Sequence, residues 1–258
     1  MDFHIFGSEK APVLVLIHGV LTPWQMWDKQ IEYFAQRYRV IVPALDAHEE
    51  DRASEFVSIE DEARKIEDYI AENCGGEVHA VVGLSLGGVI AHELWINSRI
   101  KIKKLVLDGA PLSKAPAIAQ KIMTNNYLSI IRKSKARDPK TLENFKKHFL
   151  PERHLESYLK IADNMSESSL RNIVSSAFSR ELKTDMPLDT KLCYMHGTAA
   201  NEMLSVKTAK KIKKYYPEAT VYRFRGAPHA ELAVKANHLW MAAVISAVSM
   251  DAKECDDA

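Results

Sequence analysis

The segment Val13-Leu14-Val15-Leu16-Ile17 is apolar at every position, with Ala-Pro before it and His-Gly after it. A strand with one wet face alternates polar and apolar residues, so this unbroken run belongs to a sheet covered on both faces, the usual condition of parallel strands. The pattern returns at Arg39 to Val42, His79 to Val82, Lys104 to Leu107 and Lys191 to Met195, while Thr220 to Arg225 alternates more. Between these runs lie helical periods. Ile59, Ala63, Ile66 and Ile70 share one helix face behind a Ser58 cap with Asp61 three residues on. Val206, Ala209, Ile212 and Tyr216 repeat the device with Ser205 as the opening residue, and Asn237 to Ser249 can close the chain as a covering helix. The spacing predicts an α/β fold: a mostly parallel central sheet flanked by helices.

From about Leu112 to Met186 the alternation stops. Helical patterns run over Ala115 to Ile131, Leu142 to Phe149, Leu155 to Met165 and Leu170 to Phe178, with no strand-like run among them. Residues 1–111 and 187–258 are therefore expected to form one core, with 112–186 inserted as a helical cap. The cap carries 14 basic and 8 acidic side chains, a net charge of +6, which reads most simply as a solvated helix surface. The short polar tail Asp251 to Ala258 is expected to be disordered.

Composition bounds the function. A chain of 258 residues that is 47% hydrophobic buries a full core, which excludes disordered and fibrous classes. Lys and Arg total 35 against 34 for Asp and Glu, so no global field attracts nucleic acid or an anionic membrane, and neither partner is expected. Cys74, Cys193 and Cys255 are scattered and odd in number, forming neither a disulfide framework nor a zinc knuckle. Together with an N-terminus that lacks a signal-peptide pattern and the absence of any apolar run near the ~20 residues of a membrane span, this predicts a cytoplasmic protein. Oligomeric state is not readable.

The chemistry centres on Gly83-Leu84-Ser85-Leu86-Gly87-Gly88, a G-x-S-x-G turn between the run ending at Val82 and the helical pattern Val89 to Ile96. A serine on so tight a strand-to-helix turn needs neighbours without side chains. Its Oγ then stands at a helix N-terminus, where free N–H groups favour developing negative charge. The plain alternative is a tight turn in which Ser85 only caps the helix. Other motifs are missing: His92-Glu93-Leu94-Trp95 continues with Ile96, so no H-E-x-x-H zinc site exists, and neither nucleotide-binding glycine pattern occurs. No cofactor and no metal are expected.

With Leu16-Ile17-His18-Gly19-Val20-Leu21 after an early strand, the Ser85 turn, a helical insertion after Leu107-Asp108 and a late Gly226-Ala227-Pro228-His229, the chain resembles the α/β-hydrolase superfamily over nearly its whole length. The resemblance implies that backbone N–H groups of Val20 and Leu86 form an oxyanion hole and that His229 is the general base. It also implies structural parts for His18, His48 and His196. The acid departs from the common pattern, because Ala200 stands where relatives often carry Asp after the seventh strand. Glu202 in the same loop is the first candidate and Asp108, ending the strand that relatives count as their sixth, the second; either must accept the Nδ1 hydrogen of His229. Trp24, Met26, Trp27, Tyr127 and Phe149 either line an acyl pocket or are plain core. The expected activity is hydrolysis of a small-molecule carboxylic ester (EC 3.1.1) through an acyl-enzyme on Ser85. C–C hydrolysis, lyase or acyl-transfer chemistry on the same residues stays open, as does a non-catalytic binding protein on the same fold.

Overall fold

The apolar runs form one sheet in a computed structural model that describes residues 1–187 and 189–250; the tail expected to be disordered lies outside the described residues, as does Cys255. Its strands are β1 (Asp2–Phe6), β2 (Val13–Ile17), β3 (Arg39–Ala44), β4 (Glu77–Leu84), β5 (Lys101–Asp108), β6 (Lys191–Gly197) and β7 (Thr220–Phe224). They pair in the order β1-β3-β2-β4-β5-β6-β7, parallel throughout except for β1. Leu14, Val15, Leu16 and Ile17 are all fully buried, so both faces of β2 are covered, as the unbroken run requires.

The strand β1 was not foreseen. It runs antiparallel to β3 from Asp2↔Ala44 to Phe6↔Val40 at the sheet edge, where its half-exposed side chains leave no long apolar run to find.

The helices are α1 (Asp28–Phe34), α2 (Ile59–Cys74), α3 (Leu86–Asn97), α4 (Ala117–Lys135), α5 (Pro139–His148), α6 (Leu155–Asn164), α7 (Glu167–Phe178), α8 (Met203–Tyr215), α9 (Glu231–Val234) and α10 (His238–Val248). Ser58 caps α2 as predicted, its Oγ accepting from Asp61 N–H at 3.2 Å. Ser205 does not open a helix: α8 starts two residues earlier, behind a short 3₁₀ turn at Ala200–Glu202. The Ser205 hydroxyl is buried and donates to the Gly109 carbonyl at 3.3 Å, an acceptor that the local pattern could not announce.

Helices α4 to α7 occupy the stretch between β5 and β6. The chain is closed at their base by Leu182 N–H donating to Leu112 C=O (3.1 Å) and Ala115 N–H to Phe178 C=O (2.9 Å). Side chains then tie these helices to the rest of the chain. Arg153 forms two hydrogen bonds to Asp28, and the Asn164 amide donates to the carbonyls of Glu49, Glu50 and Arg52.

The register brings Ile17, Gly83 and Leu107 level across the sheet, with Leu84 beside Asp108. The loops that follow all leave from one edge, the carboxyl end where parallel α/β sheets hold their ligands. The chain turns sharply into α3 there: Ser85 has φ 53° and ψ −110°, and its N–H donates to the Asp108 carbonyl at 2.7 Å. Gly87 lies against the end of β2, where a Cβ would stand 2.2 Å from the Ile17 carbonyl oxygen. That atom is sheet backbone and cannot retreat. Overpacking of this kind costs about 1–3 kcal/mol, so Gly87→Ala should melt about 3–10 °C lower in calorimetry. Unchanged melting would show that the turn is not clamped against β2.

Candidate active site

Three side chains from separate loops meet at this edge. Ser85 Oγ lies 2.8 Å from His229 Nε2, and His229 Nδ1 lies 3.3 Å from Glu202 Oε1. The second contact is long, and neither His229 Nδ1 nor Glu202 Oε2 makes a well-aligned hydrogen bond among the described residues. Such contacts commonly tighten only when substrate is bound. With the Nδ1 hydrogen directed toward the carboxylate, Nε2 is left as the acceptor for the Ser85 hydroxyl.

Each member is held by backbone. The loops carrying Glu202 and His229 are stitched together: Thr198 and Ala199 N–H both donate to Ala227 C=O at 3.1 Å, and His229 N–H donates to Asn201 Oδ1 at 3.2 Å. Glu202 is buried, and its Oε1 also accepts from Gly197 N–H at 3.3 Å. Burial pushes its carboxyl up, but the imidazole of His229, with Ser205 and Gly197, outweighs it and the net shift is downward. His229 moves the other way. Burial lowers it, the carboxylates of Glu202 and Asp108 raise it, and it ends above the ordinary value of 6.5.

Asp108, the second candidate acid, is also near this group but faces another partner. Its Oδ2 accepts from the Trp240 indole N–H at 2.7 Å, and burial raises its carboxyl to about 7. Glu202 is thus the carboxylate in contact with His229.

Sequence reasoning missed three contributors. Gly109 has φ 62°, and a Cβ there would stand 2.8 Å from His229 Cε1, so only glycine lets the imidazole approach; a glycine directly after a strand-ending Asp was the available signal. Asn201 and Trp240 gave no local signal.

Leu86 is the first residue of α3, so its N–H has no acceptor within the helix. Val20, in the loop after β2, lines a recess together with Ser85 and His229. Two buried histidines brace that loop. His48 Nε2 accepts from Leu21 N–H at 3.1 Å, and His18 Nε2 accepts from Leu45 N–H at 3.2 Å, so each loop holds the other. The third expected structural histidine, His196, is buried with Nδ1 2.6 Å from the Gly197 carbonyl.

Tyr127 and Phe149 do line the chamber above Ser85. Trp24, Met26 and Trp27 do not: Met26 and Trp27 are core, Trp27 stacking on Trp240 at 5.7 Å, and Trp24 stacks on His4 at 3.9 Å. Among the described residues, one acidic group with metal-like spacing, Asp46, Asp61 and Glu62, surrounds the Lys65 ammonium, which supplies the positive charge there. Cys74 and Cys193 are free thiols, and burial pushes Cys193 up to about 12. No helix among the described residues is long and apolar enough to cross a membrane.

A sheet of this order with a strained serine turn at its carboxyl edge defines a class, and the family model for the alpha/beta hydrolase fold matches residues 12–218; the chain belongs to that family. Among curated proteins it is similar to the pimeloyl-[acyl-carrier protein] methyl ester esterase of Nitrosomonas europaea, 27% identical over 150 residues. That match covers 56% of each chain, so this chain spans little more than half the length of that relative. Among solved structures it shares its fold with an alpha/beta hydrolase family protein from Desulfitobacterium hafniense (TM-score 0.74, 22% identity, 95% of this chain and 99% of that one). A carboxylesterase of Nitrososphaera gargenis is similar too (TM-score 0.75, 15% identity, 100% and 96% covered).

The paired loops make a prediction. Burial holds His18 down to about 3, with the neighbouring His48 adding to the effect, and burial holds His48 down to about 4. Both values lie below the 6.5 of a free imidazole, so the stabilisation from the neutral pair is complete above pH 6.5 and is lost as pH falls toward 4. Long-range ¹H–¹⁵N spectra at pH 6 should find both rings neutral with bare Nε2. A protonated Nε2 on either would refute the brace.

Proposed function

We propose that this protein is a serine hydrolase of small-molecule carboxylic esters. Ser85 is the nucleophile, His229 the general base, Glu202 the acid that orients it, and Val20 and Leu86 the backbone donors to the oxyanion. The observation that carries the reading is the 2.8 Å contact between Ser85 Oγ and His229 Nε2 at a helix N-terminus. Residues 112–186 act as a cap that walls the site. The Nitrosomonas relative is named for cleavage of a methyl ester, which favours ester hydrolysis over C–C chemistry on the same groups.

In the first half-reaction Ser85 Oγ bonds to the ester carbonyl carbon while its proton passes to His229 Nε2. The carbonyl oxygen, now negative, is met by the N–H groups of Val20 and Leu86. The bond to the alcohol oxygen then breaks, and that oxygen takes the proton from His229. Water repeats the sequence on the acyl-enzyme: its oxygen bonds to the carbonyl carbon, its proton goes to His229, and the Ser85 oxygen leaves and recovers a proton. The products are an acid and an alcohol.

A fluorophosphonate should label the protein at Ser85, read by peptide mass, and Ser85→Ala should lose both labelling and esterase activity. Labelling that survives Ser85→Ala would overturn the assignment.

The two carboxylates separate by pH profile. His229 must be neutral to accept a proton, so kcat/KM should fall on the acid side through a pKa above 6.5. Glu202→Gln removes the main influence that raises this pKa and should shift the acid limb to lower pH. It should also lower kcat by up to about 10⁴, the loss seen for the amide replacement in a serine protease. Asp108→Asn should cost less than about tenfold. If Asp108→Asn abolishes turnover in a protein that melts like wild type while Glu202→Gln stays active, Asp108 is the acid.

A further inference from the structure

Glu202 turns one carboxylate oxygen toward His229 and keeps the other buried. Oε1 lies 3.3 Å from His229 Nδ1 and accepts from Gly197 N–H, whereas Oε2 makes no well-aligned hydrogen bond among the described residues. A buried carboxylate oxygen without a donor is destabilising. The extra methylene of Glu over Asp also adds a rotatable bond, so this acid needs a firmer hold than an Asp in the same role.

Most of the surrounding donors are committed. The Trp240 indole N–H donates to Asp108 at 2.7 Å, the Tyr194 hydroxyl to the Ala110 carbonyl at 2.8 Å, and the Thr208 hydroxyl to the Leu204 carbonyl at 3.0 Å. Ser205 differs. Its hydroxyl donates to the Gly109 carbonyl at 3.3 Å, beyond the range of about 2.5–3.0 Å usual for a hydroxyl donor.

We propose that Ser205 is a positioning residue for Glu202: its hydroxyl donates to Oε2 and fixes the carboxylate in the orientation that meets His229 Nδ1. The proposal rests on the serine-hydrolase reading above.

The spacing brings the two groups together. Glu202 is the N-cap of α8 and Ser205 follows three residues later, the separation at which side chains on a helix become neighbours. Gly109 is their common floor. A Cβ there would stand 3.0 Å from His229 Nδ1 and 3.8 Å from Glu202 Oε1, and its carbonyl is the atom that Ser205 touches. The hydroxyl hydrogen swings about the Cβ–Oγ bond, so passing from carbonyl to carboxylate requires no backbone movement. The carboxylate, being charged, is the stronger acceptor. Burial raises the Glu202 carboxyl, and His229, Ser205 and Gly197 in that order lower it, as expected if the hydroxyl stands beside the acid. With Oε2 held, Oε1 stays the acceptor for the Nδ1 hydrogen, and the imidazole keeps the tautomer that leaves Nε2 bare for Ser85.

Three variants test the hold. Ser205→Ala removes the donor, Ser205→Cys keeps the size with a weak donor, and Ser205→Thr keeps the hydroxyl. The rate at which a fluorophosphonate labels Ser85 should fall by roughly tenfold or more in Ser205→Ala and Ser205→Cys, the size of a lost hydrogen bond to a charged group, and stay within about threefold of wild type in Ser205→Thr. In ¹H spectra the His229 Nδ1 proton, drawn downfield by the carboxylate, should move upfield in Ser205→Ala and Ser205→Cys and keep its place in Ser205→Thr. Melting is measured on each variant. A wild-type labelling rate with an unmoved resonance in Ser205→Ala would overturn the proposal. So would a Ser205→Thr that melts like wild type yet loses as much as Ser205→Ala, since size and not the hydroxyl would then matter. If Ser205→Ala fails to fold, Ser205→Cys decides. A wild-type protein whose Ser85 takes no label overturns the nucleophile assignment beneath, and the His229 resonance alone then decides the part played by Ser205.

Discussion

The site depends on one close approach of backbones. At the end of β4 the chain must leave the sheet and start α3 without room for side chains, with Gly87 against the Ile17 carbonyl and Ser85 N–H bonded to the Asp108 carbonyl. These constraints from the neighbouring strands β2 and β5 hold Ser85 at φ 53°, a conformation that a serine rarely adopts on its own. The strain is local and the surrounding sheet sustains it. Because the same strand ends carry the Gly19–Leu21 loop and the Asp108-Gly109 turn, Ser85, the backbone of Val20 and Leu86 and the His229 imidazole keep one frame of reference.

Much of this arrangement was legible. The unbroken run at Val13 to Ile17 announced a sheet covered on both faces, and the glycines around Ser85 announced the turn, because each records a physical exclusion in residue type. The unforeseen strand β1 records little: its five residues Asp2–Phe6, all exposed or half-exposed, offer only a brief polar–apolar alternation and no unbroken apolar run. Ser205 misled for a related reason. Its residue type suits a helix cap, but the Ala200–Glu202 turn had already started the helix, and the hydroxyl found its acceptor at Gly109, far away in sequence.

The two carboxylates show where sequence order stops being informative. Asp108 and Glu202 both fall between Ser85 and His229 in the chain, and only tertiary contacts separate them. Trp240, from the closing helix, donates its indole N–H to Asp108, while Glu202 is left facing the imidazole. Glycine at 109 matters as much as either carboxylate, because any side chain there would occupy the space of the His229 ring.

The insertion between β5 and β6 contributes Tyr127, Ile130, Phe145 and Phe149 to the walls of the chamber, yet none of the groups proposed for bond making. It joins the core at a base closed by backbone bonds between Leu112 and Leu182 and between Ala115 and Phe178. Part of the chamber's shape is therefore written in a different stretch of the gene from Ser85, Glu202 and His229. Mutational drift in α4 and α5 can reshape what the chamber admits without disturbing the strained turn that took the rest of the sheet to build, which leaves this scaffold free to change its diet while keeping its reaction.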